Sequence, residues 1–240
     1  MRIFVKICIG LSLISQLKAF DVQIEKINGD IRIRRGLDET WSAARLGLTL
    51  KSMDTILSGE ASEVILLLED GSRFRLGGNA ILDISDLQRI TERQLFLYLM
   101  SQKVENLNSP DSSASIHITN VSVVRGTQKR FEGETIRPDG NMDWIREMNG
   151  AKALFAASYF TNAIVKFYKI LERYPSMNDG GEVYCYMGQS FEALKEKGRA
   201  FDAYQNALKR LNDSESDDGI KERKNQVQEA LNRIKSEPAF

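Results

Sequence analysis

The spacing of apolar residues changes once along this chain, and that change limits the fold more than any other feature. From Val22 to about residue 137, apolar and polar side chains alternate, as the two faces of a strand require. From Met142 to Lys235 the apolar positions recur every third or fourth residue, as one face of a helix requires. Pro138-Asp139-Gly140-Asn141 marks the switch. The order predicts an α+β multidomain chain: an all-β sandwich or β-helix-like roll over residues 20–140, then an α-helical array.

Turn residues divide the β half. Val22 to Ile27 and Ile31 to Arg34 flank Asn28-Gly29, a pair that suits a tight hairpin because both residues tolerate positive φ. Val64 to Glu69 and Arg73 to Leu76 flank Asp70-Gly71 in the same way. Further strands are expected at Leu82-Asp83-Ile84, Leu95 to Leu99, Ile116-His117-Ile118 and Val121 to Val124, with a loop over Asn106 to Ser115.

Residues 1–19 have the order of a secretory signal peptide. Arg2 and Lys6 precede the apolar run Ile7 to Ile14, and Leu17-Lys18-Ala19 provides a small residue before Phe20. The run is too short to span a bilayer comfortably; the competing reading is a first β-strand. Cleavage after Ala19 would remove three of the 33 basic residues and none of the 33 acidic ones, leaving a net charge of about −3. That balance offers no basic surface for nucleic acid. Of the two cysteines, only Cys185 would remain, so no intrachain disulfide is expected. Its apolar helical setting predicts a packing role.

The helical half repeats itself. Val183 to Leu194 reads as one helix and Ala200 to Leu211 as its antiparallel partner, with small residues at Gly188, Ala200 and Ala207 for close approach. Tyr184, Phe191 and Tyr204 supply bulk around them. An earlier copy places Ala151, Leu154, Ala163, Phe167 and Ile170 at equivalent positions, 37 residues upstream, and closes on Tyr174-Pro175. These spacings resemble the tetratricopeptide repeat, and residues 141–214 are read as two tetratricopeptide-like repeats. Ile220, Lys224, Val227, Leu231 and Ile234 then form one stripe, predicting a capping helix and tail over residues 215–240.

The β half carries a second resemblance. Gly47 to Leu50, Asp54 to Gly59, Ser62, and Leu66 through Asp70-Gly71-Ser72 precede Phe74-Arg75-Leu76, and Val124-Arg125-Gly126-Thr127 follows in order. The set resembles the FecR domain family over about Val22 to Phe131. Met53 and Asn120 stand where that family usually has glycine and proline. The resemblance implies an extracytoplasmic β module. Founding members are membrane regulators with a cytoplasmic tail and a transmembrane helix, which residues 1–19 do not match, so their regulatory role is not expected here.

Residues for chemistry are scarce. His117 is the sole histidine and is expected on the polar face of a strand. No phosphate-binding glycine loop or Cys-x-x-Cys is present, and carboxylate pairs such as Glu69-Asp70 and Asp217-Asp218 are adjacent, which sends their side chains apart. Trp41 is expected to pack on the β core and Trp144 to wedge between the halves. No catalytic residue, no metal site and no cofactor is therefore expected. By the repeat resemblance, the first helix of each pair lines a groove, at Lys152 and Phe155 and then at Gln189 and Glu192.

The resulting expectation is a non-enzymatic binding or scaffold protein of the bacterial cell envelope, periplasmic or otherwise extracytoplasmic. Its repeats would hold an envelope protein or peptide, its β half a partner or a cell-wall glycan, and its contact with membrane would be peripheral at most. The alternatives are an envelope-sensing regulatory module and a hydrolase acting on polysaccharide.

Overall fold

A computed structural model describes residues 20–107, 143–213 and 218–236. Among these residues, eight strands form two four-stranded antiparallel sheets. Strands β1 (Asp21–Asn28), β4 (Thr49–Lys51), β6 (Glu63–Leu68) and β7 (Arg73–Leu76) make one, ordered β4-β1-β6-β7. Strands β2 (Ile31–Arg34), β3 (Trp41–Ala43), β5 (Thr55–Ser58) and β8 (Ala80–Asp83) make the other, ordered β3-β2-β5-β8. Alternation decides which side chains enter the core. Val64, Leu66 and Leu68 of β6 are buried with Phe74 and Leu76 of β7. Arg73 and Arg75 stay in water, paired with Glu25 and Glu63.

The two hairpin signals have different outcomes. Asp70-Gly71 does join paired strands, with Gly71 at φ +79° and Leu66 opposite Phe74. Asn28-Gly29 makes its turn, with Gly29 at φ +82°, yet β1 and β2 lie in different sheets. The turn is a corner between sheets, packed on the neighbouring β5-to-β6 crossing. Asp30 N donates to Ser62 Oγ at 2.9 Å, and Gly59 N donates to Asp30 O at 2.8 Å. A turn dipeptide sets local backbone angles, but which strand lies alongside is settled by such long-range bonds.

Residues Leu95 to Leu99 are not a strand. They lie in helix α1 (Glu92–Leu107). Thr91 and Gln94 close a capping box: Gln94 N donates to Thr91 Oγ1 at 3.3 Å, and Thr91 N donates to Gln94 Oε1 at 2.8 Å. A continuous apolar run has no period to distinguish strand from helix, so the cap carries the information. The expected strands at 116–118 and 121–124, His117, the Val124 to Thr127 marker, most of the Asn106 to Ser115 loop, the boundary at 140 and the signal segment all lie outside the described residues.

Five further helices follow: α2 (Asp143–Ala156), α3 (Phe160–Arg173), α4 (Glu182–Ala193), α5 (Lys197–Asp213) and α6 (Asp218–Ser236). The described chain is thus an α+β structure, a β part followed by a helical part. Helix α2 pairs with α3 and α4 with α5, while α3 contacts α4 and α5 contacts α6. At the α4–α5 crossing a Cβ on Gly188 would stand 2.6 Å from the Tyr204 ring, closer than any real Cβ contact, so only glycine fits. Buried Asp179 starts α4 by accepting from Val183 N at 2.8 Å, and it receives Arg210 of α5 at 3.2 Å.

The two halves share one hydrophobic cluster. Helix α2 lies so close to β8 that a Cβ on Gly150 would collide with Ile81 O. Between the halves, the Asn162 amide donates to Asp86 O at 2.8 Å and Gln88 O at 2.6 Å, and its oxygen accepts from Ile90 N at 3.2 Å. Lys166, 4% exposed, reaches Asp86 at 2.7 Å and Asp83 at 3.4 Å. A common core with polar groups paired across it thus joins the β part to the helical part.

Candidate functional site

The four residues expected to line a groove divide into two pairs. On α2, Lys152 Nζ lies 2.6 Å from Glu182 Oε1 of α4 and 5.5 Å from the Tyr186 ring centroid. Phe155 meets the same Tyr186 edge-on at 5.2 Å and Phe160 at 5.5 Å. Both side chains are half-buried and bind α2 to α4. On α4, Gln189 is exposed, while Glu192 turns to the other side, accepting from Tyr204 Oη at 2.6 Å and Arg233 Nη2 at 2.7 Å. Lys152 and Phe155 thus mark the α2–α4 seam, and Gln189 and Glu192 mark the α4–α6 seam.

A pocket of about 290 Å³ opens at this second seam. Helix α4 supplies Cys185, Gln189 and Glu192, and α5 supplies Tyr204. Helix α6 faces them with Gln226, Glu229 and Arg233. The reason lies in the pattern of α6. Val227, Ala230 and Leu231 are buried, which turns the neighbouring stripe Gln226, Glu229, Arg233, spaced three and then four residues apart, toward α4. That stripe was readable beside the apolar one but carries no chemistry by itself until α4 is set against it. Burial pushes the Cys185 thiol up to about 12, with Asp179 and Glu182 adding and Arg223 opposing. Burial likewise raises the Tyr204 hydroxyl, as does its hydrogen bond to Glu192. Both groups are protonated and neutral near pH 7.

No family model matches the chain, and no curated protein matches it. A solved structure described as a "cell surface anchoring domain" is similar over 28% of this chain and 84% of its own, at 23% identity and a TM-score of 0.25. A likeness that slight carries no argument about fold or function.

In the β half the expected position of Trp41 needs correction. It sits on the sheet-edge strand β3, partly exposed, with the Arg34 guanidinium 5.2 Å from its ring, and it is not part of the core. Trp144, in α2, does pack against the core. Buried Asp54 was missed by pattern reading. Its carboxylate accepts from Gly36 N at 3.0 Å, Lys51 N at 2.9 Å and Arg35 Nη1 at 2.8 Å, fixing two loops at one end of the sheets. Its partners come from the turn after β2 and the end of β4, which gives it a structural task. Among the described residues, no helix is long and apolar enough to cross a membrane.

Proposed function

We propose that this chain is a non-enzymatic binding and scaffold protein of the bacterial cell envelope, exported by residues 1–19 and holding a protein or peptide partner along α2, α4 and α6. The observation that carries this reading is the α4–α6 pocket. Its walls come from three helices, its lining mixes aromatic, amide and charged groups, and two of its members, Gln189 and Glu192, are among the residues expected to line a groove. Peptide-binding surfaces combine such anchors with a polar rim. The half-buried Phe155–Tyr186 pair marks the neighbouring seam between α4 and α2. The FecR-like and tetratricopeptide-like resemblances agree with an extracytoplasmic β module fused to a repeat array, and the β half here serves as the platform on which α2 and α3 rest.

The test uses the exposed position. Gln189→Arg places bulk and charge in the groove without disturbing the core. It is expected to abolish capture of a partner from envelope extract while leaving the circular-dichroism melt unchanged. Undiminished capture with that variant would remove the groove from the function. N-terminal sequencing of the fractionated protein is expected to begin at Phe20; recovery of intact Met1 in the cytoplasm would overturn the export reading.

A further inference from the structure

We infer that the α4–α6 pocket is a subsite for a basic side chain, lysine or arginine, presented by the partner. The inference rests on the groove reading above and names the chemistry of one of its positions. Three charged groups line the pocket: Glu192, Glu229 and Arg233. Arg233 and Glu192 compensate each other at 2.7 Å, and Glu192 also accepts from Tyr204. Glu229 has no ion pair among the described residues, so the pocket keeps one uncompensated carboxylate at its rim. Arg223, a turn earlier on α6, is held on Gly180 O at 3.1 Å and does not line the pocket.

The walls fit the same ligand. Val227, Ala230, the Cys185 thiol and the Tyr204 ring offer surface to an aliphatic stem, while Gln189 and Gln226 offer amide oxygens beside the carboxylate. Lysine and arginine are the side chains that combine a long apolar stem with a cationic end. An acidic side chain would meet Glu229 uncompensated, and its only cation would have to leave Glu192. An apolar side chain would bury Glu229 and two amides without partners, which is unfavourable. The cation is the occupant that leaves nothing unpaired.

Cys185 allows a direct measurement, because it is one of the lining residues. The full chain carrying Cys8→Ser is equilibrated, in the presence of 2-mercaptoethanol, with three disulfides differing only in their end group. These are cystamine (ammonium), bis(2-hydroxyethyl) disulfide (neutral) and dithiodipropionate (carboxylate). Intact-mass spectrometry reads the fraction of Cys185 conjugated by each. The expected result is an ammonium adduct about fivefold above the hydroxyl adduct, with the carboxylate lowest, as one nearby unpaired carboxylate dictates. Glu229→Gln, at an exposed position, is expected to bring the ammonium advantage below about twofold. Equal conjugation by all three reagents, or no adduct with any of them, would overturn the subsite. The two readings fail separately. Loss of the ammonium preference while Gln189→Arg still blocks capture removes the subsite and keeps the groove. A preserved preference with capture untouched by Gln189→Arg removes the groove reading and keeps the cation selectivity.

Discussion

The helical array ends differently at its two sides. Toward the β half, α2 and α3 meet β8 and the short 3₁₀ turn Ile84–Leu87 through a core that includes Leu82, Ile84, Leu87, Leu154 and Ile164, and Asn162 and Lys166 are paired there. Asn162 makes three hydrogen bonds across the junction, and Lys166 lies between two carboxylates. At the far side, α6 buries only Val227, Ala230 and Leu231, and a polar pocket remains between it and α4. Both ends are closed by an amphipathic surface. The first closure joins its polar groups to one another, whereas the second leaves polar groups lining a pocket.

The largest effect is expected at the β-facing end. Asp86→Ala removes the nearest partner of a lysine that is 4% exposed. The variant leaves Lys166 with Asp83 alone, at 3.4 Å, so the loss should fall at or below the low end of the range for a broken buried pair, about 3 kcal/mol in urea unfolding. A loss under about 1 kcal/mol would mean that water reaches Lys166 and that this end is no tighter than the other. Because the halves share one cluster, unfolding should also follow a single transition by both far-ultraviolet dichroism and tryptophan fluorescence; two separate transitions would show that the junction is not cooperative.

The same cluster sets a pH dependence. Burial pushes the Asp83 carboxyl up, but Lys166, the Thr55 hydroxyl and Lys169 outweigh it and hold the carboxyl below its ordinary value. A lowered folded value contributes stability at pH above the unfolded carboxylate range, near about 4, and loses it as pH falls through the folded value. For Lys166, burial acts downward and is outweighed by Asp86 and Asp83, which hold the ammonium above its ordinary range. Its contribution is complete below about pH 10 and declines as pH rises through the folded value. Urea midpoints measured across pH should therefore show a plateau with an acid limb below about pH 4, and Asp83→Asn should shrink that limb. An acid limb unchanged in the variant would place the sensitive carboxylate elsewhere.

A mid-sized effect is expected within the array, between the two ends. Gly188→Leu forces a side chain into the Tyr204 ring and should cost about 1–3 kcal/mol. Gly198→Leu, in open space at the start of α5, should cost little or add stability. Equal melts for both variants would show that α4 and α5 do not cross at Gly188.

How much of this was legible follows the range of each signal. The β-then-helix order, the α4–α5 pair, the role of Gly188 and the buried face of α6 come from local periodicity, which one segment carries by itself. The sheet partner of β2 was not legible, because Asn28-Gly29 sets a turn and the Ser62 and Gly59 contacts that set the pairing lie about 30 residues away. Helix α1 was legible through Thr91-x-x-Gln94, but a six-residue apolar run obscured it. Of the four groove residues, each was correctly placed on the first helix of its pair. Their partners were not readable, since Lys152 needs Glu182 and Glu192 needs Arg233, 41 residues away. Pocket residues such as Glu229 become visible only once α6 is set against α4.

The smallest stability effect should come with the largest change in access. Arg233 is 57% exposed, so its ion pair with Glu192 is well screened, and Arg233→Ala should cost under about 1 kcal/mol. The pair nevertheless connects α6 to α4 directly over the pocket that holds Cys185. In the intact chain the thiol is buried and protonated at neutral pH, so alkylation by iodoacetamide should be far slower than for a free cysteine. Loosening α6 should raise that rate several-fold at pH 8 while the melt barely moves, because labelling follows local opening and the melt follows the global transition. The control is Lys221→Ala, whose exposed pairing with Asp218 near the start of α6 lies away from the pocket and should leave the rate unchanged. If Arg233→Ala instead costs more than about 2 kcal/mol and leaves labelling as slow as before, α6 is sealed as firmly as the β-facing end. The array would then have two fixed ends, and the adaptable site would have to be sought along the α2–α4 seam.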